Sequence, residues 1–300
     1  MSSSKHSIKD YFPFLSMAGL LLVVQVIAIL LSRPMEASGM QAFEDPNQVS
    51  NSIYYILLIL AFTLLVLIAI KKDMKWIISL LIYFSILSTL YYVFLSLLNL
   101  LPFISEFNAI TISIVVSAVV TVLLYKYPEW YVVDFVGVCV ASGVSALIGI
   151  SLSIIPIVVL LALLAVYDAI SVYKTKHMIT MAEGLMDLKL PILFVIPKHS
   201  KYSFLHENFK AGEKREAFFM GLGDAVMPTL LVVSANVFIH SSGGIISYPV
   251  LGAMLGTLAG YAVLYTFVMK GNPQAGLPFL NSGVILGFFI GVLLSGASII

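Results

Sequence analysis

Residues 217–239 read AFFMGLGDAVMPTLLVVSANVFI, an apolar run holding one carboxylate, Asp224, in the tetrapeptide Gly221-Leu222-Gly223-Asp224. A run of about 20 apolar residues has the length of a bilayer-crossing helix. An Asp at depth in such a helix costs on the order of 2.5–3.5 kcal/mol even on the permissive insertion scale. Its presence calls for a compensating environment and for a use.

The whole chain is of the same kind. Of its 300 residues 60% are hydrophobic and 10% charged, against about 25% charge in soluble domains. This composition describes an all-α, multi-pass membrane protein. The net charge of +1, with no basic stripe and no phosphate-binding glycine loop, speaks against a nucleic-acid partner. The single cysteine, Cys139, excludes an internal disulfide. The five histidines (His6, His177, His199, His206 and His240) fall in the tail, the loops or at a span end, so neither a metal site nor a cofactor is expected.

Hydropathy places nine spans at 12–32, 52–70, 76–100, 107–125, 131–151, 154–173, 217–239, 247–269 and 279–299. The first, preceded by two lysines, has too long an apolar core for a signal-peptide h-region and is read as a span. Pro156 suits the first turn of the sixth helix. Spans 1–6 thus lie within 12–173, a loop covers 174–216, and spans 7–9 lie within 217–299. The reading is one polytopic membrane domain over residues 1–300, with an oligomer left open.

With nine spans, 15 of the 16 Lys and Arg residues fall on one side, and only Arg33 on the other. The positive-inside rule then puts the N-terminus in the cytoplasm and the C-terminus outside. Short loops and the lack of N-x-Ser/Thr sequons fit a cell (plasma) membrane.

Three acidic residues remain inside the spans: Asp134, Asp168 and Asp224. Asp134 follows Trp130 and Tyr131 at the entrance of span 5 and is expected to be interfacial and structural. Asp168, six residues before Lys174, lies about 9 Å in along a helix, and Asp224, eight residues after Glu216, about 12 Å. Spans 6 and 7 run in opposite directions, so the two carboxylates reach similar depth and can meet near the cytoplasmic side. Gly221 and Gly223, taken as helical, would let a neighbouring helix approach. Tyr167 is either a packing aromatic or a hydrogen-bonding partner of the site.

Two acids in contact cannot both ionise easily, so the pair shares one proton over a broad pH range. One can activate water while the other protonates the carbonyl or the leaving amine, as in aspartic proteases. The competing reading is a proton- or cation-coupled transporter or ion leak. No inverted repeat and no second polar cluster in the spans accompanies the pair.

Tyr167-Asp168 in span 6 and Gly221–Asp224 in span 7 resemble the paired motifs of the presenilin and signal peptide peptidase family. The likeness extends over essentially the whole chain, and LAVYDAISVYKTKHMITMAEG and GNPQAGLPFLN are similar to archaeal presenilin homologues. The resemblance implies a nine-span intramembrane aspartyl endopeptidase of the GxGD type, without cofactor. Asp168 and Asp224 would be catalytic, supported by Tyr167, Gly221, Leu222 and Gly223, and single-span membrane proteins or peptides would be the substrates. A prepilin-type peptidase also uses GxGD, but its paired-cysteine site is missing here. The family's Pro-Ala-Leu motif corresponds to Ala275-Gly276-Leu277, followed by Pro278, so its first two positions differ. Gly276 and Pro278 favour an irregular backbone whose N–H and C=O groups could bind substrate; the other reading is a plain helix start with Pro near its first position. The cytoplasmic loop between spans 6 and 7 resembles presenilin rather than the inverted signal peptide peptidases.

A helical substrate must be unwound before cleavage. KLPILFVIPK (189–198) is an apolar run bounded by Pro191 and Pro197. Its residues Leu190, Ile192, Leu193, Phe194, Val195 and Ile196 read as a strand that could capture an extended substrate. A loop dipping onto the membrane is the other reading of this run. The residues before it, KTKHMITMAEGLMD, have helical spacing and are expected to extend span 6 along the interface, and the remainder of the loop is polar.

Overall fold

The computed structural model describes residues 8–72, 74–175, 193–199, 202–204, 216–239, 247–269 and 274–297. The expected extension of span 6 beyond Thr175, the strand residues Leu190 and Ile192, and most of the polar loop lie outside them. The described chain forms helices α1 (Ile8–Ala37), α2 (Ser50–Lys71), α3 (Lys75–Asn99), α4 (Glu106–Lys126), α5 (Trp130–Ser151) and α6 (Ile154–Ile170). A π turn (Ser171–Thr175) follows, then strands β1 (Leu193–Pro197) and β2 (Ala217–Gly221). Helices α7 (Leu222–Phe238), α8 (Tyr248–Val268) and α9 (Leu277–Ser295) complete it. Eight of these helices, α6 taken with its π turn, are long and apolar enough to cross a membrane; α7, at 17 residues, is shorter.

The shortening of α7 corrects the sequence reading. Residues 217–221 are strand, and Gly221 is the extended residue before the helix, with φ −62° and ψ 139°. β2 pairs antiparallel with β1 in the register Leu193↔Gly221, Phe194↔Met220, Val195↔Phe219, Ile196↔Phe218 and Pro197↔Ala217. A hydropathy window sees five apolar residues and cannot tell that their backbone groups are satisfied by a partner strand instead of a helix turn.

Helix α7 is the axis of the molecule. Ala225, Val226 and the run from Pro228 to Ala235 are buried, because α7 is packed by α1, α5, α6, α8 and α9. Helix α5, the other strongly buried helix, lies between α1, α3 and α7. Side-chain hydroxyls tie these helices to one another. Ser142 and Ser145 of α5 donate to the carbonyls of Val24 (3.2 Å) and Val226 (3.3 Å). Ser234 donates to Leu152 O (2.9 Å) at the break between α5 and α6. Pro156 sits in the first turn of α6, where its missing N–H has no intrahelical partner to lose. By contrast α2 and α4 expose long rows of Leu, Ile and Val, the surface a lipid-facing helix presents.

The closest helix pair is α8 with α9. Gly252, Gly256 and Gly260 recur at four-residue spacing on α8, as do Gly283, Gly287 and Gly291 on α9. A Cβ on Gly252, Gly256 or Gly260 would run into the backbone carbonyls of Gly287, Gly283 or Phe279. One on Gly283, Gly287 or Gly291 would meet those of Gly256, Gly252 or Tyr248. Small residues at this spacing let membrane helices approach backbone to backbone. The repeat is visible in the sequence as two consecutive GxxxGxxxG patterns.

This packing sets a prediction. Gly256→Ala should lower the thermal unfolding midpoint of the purified protein, because overpacking strain costs ~1–3 kcal/mol of stability. Gly19→Ala on α1, whose Cβ would meet nothing within 4 Å, should leave the midpoint unchanged or raised.

Candidate active site

Asp168 lies near the C-terminal end of α6, Asp224 in the first turn of α7, and Gly276 and Leu277 at the start of α9. Asp168 is 5% exposed. Its Oδ2 accepts the Leu277 backbone N–H at 3.1 Å, and the neighbouring amide of Gly276 faces the same carboxylate. Asp224 is half-buried, and its carboxylate turns back toward the Gly221 amide. With Gly221 as N-cap, Asp224 is the third helical residue, and this reach back to the cap amide is half of a capping box. Each carboxylate is therefore held at a helix N-terminus, Asp224 at that of its own helix and Asp168 at that of α9. Free amides and the positive end of the helix dipole favour an anion there.

Gly276 joins the two. Its amide faces Asp168, and a Cβ added to it would stand 2.7 Å from Asp224 Oδ1 and 3.1 Å from Oδ2. The Asp224 carboxylate thus lies directly against the Gly276 backbone. This gives a physical reason for glycine at a position where the motif resembled above has alanine.

Other expectations change. Gly221 and Gly223 are not helix-packing positions. A Cβ on Gly223 would meet nothing within 4 Å, and one on Gly221 would touch only the Asp224 carboxylate. Gly221 is extended, and its amide faces Asp224. Residues 276–278 were read as irregular backbone open to substrate, but α9 begins at Leu277 with Pro278 in its first turn. The amides of 276 and 277 face Asp168, while Ala275, fully buried, gives its N–H to the hydroxyl of Tyr173 at 3.3 Å. Leu222, the first residue of α7, has its Cδ2 against Gly137 of α5. Tyr167 is half-buried beside Asp168.

Asp134 is buried at 8% exposure and has the structural role expected of it. Its Oδ1 accepts the Val195 N–H at 2.8 Å, which fastens β1 to α5. One turn earlier Glu129 accepts Ser203 Oγ (2.7 Å) and Phe204 N (3.1 Å). The N-terminal end of α5 is thus a platform for the strands. The predicted strand is present as Leu193, Phe194, Val195 and Ile196, with Pro197 as its last residue.

A cavity of about 180 Å³ opens beside the pair. Asp224 and Gly276 line it, with Phe218–Gly221 of β2, Pro13 and Met17 of α1, and Tyr261, Leu264, Tyr265 and Val268 of α8. Phe14 stacks on Tyr261 at 5.2 Å behind this wall. Among the described residues no three His, Cys, Asp or Glu side chains gather as metal ligands. The arrangement offers two carboxylates, oriented backbone amides and an apolar, strand-lined space.

The comparisons with known proteins agree with this geometry. The family described as signal-peptide peptidase, presenilin aspartyl protease matches residues 18–297. This chain belongs to that family. Two solved structures of a presenilin family intramembrane aspartate protease, in space groups C222 and P2, are each 43% identical to it with a TM-score of 0.71. They cover 94% and 95% of this chain and 100% and 99% of their own. Among curated proteins no relative matches. The chain is a multi-pass membrane protein and an intramembrane aspartyl protease. Nothing in these likenesses supports ion transport.

Sequence reasoning missed Tyr173, Gln274 and the cavity-lining residues of α8. Single Tyr and Gln residues near a span end carry no spacing signal, and only the fold brings residues 173 and 274 together. The contact between Gly276 and Asp224 yields a direct test. Gly276→Val should displace the Asp224 carboxylate and cut peptide cleavage by at least about tenfold, since misplacement by ~1 Å can cost about 100-fold. The unfolding midpoint, measured in parallel, should stay near that of the unsubstituted protein.

Proposed function

We propose that Asp168 and Asp224 are the catalytic pair of this protease. The supporting observation is the Gly276 bridge, which puts both carboxylates around one backbone unit beside an apolar cavity. The pair holds one proton. The ionised member takes a proton from water as that water attacks the scissile carbonyl, and the protonated member hydrogen-bonds and then protonates the carbonyl oxygen. Collapse of the tetrahedral diol moves a proton to the departing amine. The peptide is split and the shared proton is restored.

The substrate class is a single membrane-spanning helix, unwound at the cleavage point. The strand edge supplies the means. Phe218–Gly221 run along the cavity and end three residues before Asp224. A substrate segment laid beside β2 would have its amide bond presented to the pair by strand addition. The aromatic and aliphatic side chains of α8 suit the apolar side chains that such a segment carries.

The charge segregation supports an N-terminus in the cytoplasm, a C-terminus outside and a site toward the cytoplasmic side of the cell membrane. Substrates in this orientation have their N-termini outside. Residues 1–300 act as one polytopic unit.

The test is cleavage of a synthetic single-span peptide, about 20 apolar residues between lysine-flanked ends, by the full chain in lipid vesicles. Asp168→Ala and Asp224→Ala should each abolish cleavage, and a hydroxyl-bearing transition-state analogue should inhibit the unsubstituted protein. Full cleavage by either variant would end the assignment.

A further inference from the structure

We propose that Tyr173 is a positioning residue for the catalytic pair, acting through the segment that precedes α9. The inference rests on the assignment of Asp168 and Asp224 as that pair. Its basis is a row of three consecutive amides. The N–H of Ala275 goes to the Tyr173 hydroxyl and that of Leu277 to Asp168, with the amide of Gly276 between them facing Asp168. Both acceptor groups are carried by α6 and its π turn. Successive amides turned toward one set of oxygens form an anion-binding concavity, and here Tyr173 holds its first member.

The hydroxyl is fully used. A phenol has one proton to donate and lone pairs to accept with. Tyr173 donates to Gln274 Oε1 at 2.9 Å while accepting from Ala275 N. Both partners are in the segment that leads into Gly276, so the hydroxyl grips it at two adjacent residues. Rotation of the segment about its own axis would break one of these bonds. The same rotation would withdraw the Gly276 amide from Asp168 and its Cα from Asp224.

Tyr173 lies in the π turn that follows α6, just beyond the last regular turn of the helix, which carries Asp168. The Asp168 carboxylate and the Tyr173 hydroxyl both meet residues 275–277. A further contact fixes the two helices lower down. Asn281 of α9, one turn beyond Leu277, donates to Leu161 O of α6 at 2.9 Å. With the helix bodies already fixed, the Tyr173 hydroxyl is left to set the orientation of the end.

The test compares Tyr173→Phe, Gln274→Ala and the double variant in vesicles, with the same single-span peptide and with Asp168→Ala as the inactive baseline. Tyr173→Phe should lower kcat about five- to tenfold, because the segment that carries the Gly276 and Leu277 amides loses its hold and the pair its placement. KM should stay within about twofold and the unfolding midpoint should not move. Gln274→Ala should lower kcat less, and the double variant should be no worse than Tyr173→Phe, because the two act through one contact. Unchanged kcat in Tyr173→Phe, a rise in KM alone, or independent multiplying effects would overturn the proposal. Should Tyr173→Phe fail to fold, Gln274→Ala, which leaves the tyrosine in place, must still lower kcat at a normal midpoint; unchanged kcat there overturns the proposal. Activity in Asp168→Ala would instead strike at the catalytic pair itself.

Discussion

Two carboxylates placed inside an apolar helical bundle require donors, and the first turns of two helices supply them. Burial of each acid costs on the order of 2.5–3.5 kcal/mol. A helix N-terminus contributes about 0.3–1 kcal/mol, up to ~2 in partly buried geometry, and hydrogen bonds to a charged group about 1.5–3 each. One helix end alone is too weak to offset the burial, but an end with its oriented amides is of the right size. Asp224 obtains this from α7, through the Gly221 amide. Asp168 has no such amides on α6, where it is near the C-terminal end, and obtains them from α9. The α9 segment must therefore come to α6, and this requirement shapes the rest of the site.

The scaffold meets that requirement with rigid contacts. α9 is locked to α8 backbone against backbone through six glycines, and to α6 through Asn281. The start of α7 is fixed from the other side, since β2 leads straight into it and is paired with β1. β1 in turn is fastened to α5 by the buried Asp134 carboxylate. The third intramembrane acid thus positions the strand pair that borders the cavity. An intramembrane protease has to admit an unwound peptide, and the strand edge beside Asp224 is its proposed place.

Much of this was legible in the sequence. The spans follow from hydropathy, because bilayer thickness fixes helix length, and the pairing of Asp168 with Asp224 follows from two costly residues at one depth on neighbouring spans. What failed did so for identifiable reasons. Residues 217–221 are as apolar as a helix and as apolar as a buried strand, so composition could not separate the two. The role of Gly221 was misread because a glycine that frees an amide and a glycine that admits a neighbour look alike in one dimension. The partner of Asp134 was not legible, because the strand that it holds arrives 61 residues later in the chain. The glycine repeats of α8 and α9 stand in the sequence as a plain period of four and were passed over.

The account comes down to one shared proton. Infrared difference spectroscopy of the full chain in vesicles at neutral pH, in H₂O and D₂O, detects the carbonyl stretch of a protonated carboxyl group directly. One such band should disappear in Asp168→Asn and equally in Asp224→Asn, because either substitution removes the partner that holds the proton. Spectra in which neither substitution removes a protonated-carboxyl band would show two acids that titrate without regard to each other, and would contradict the account.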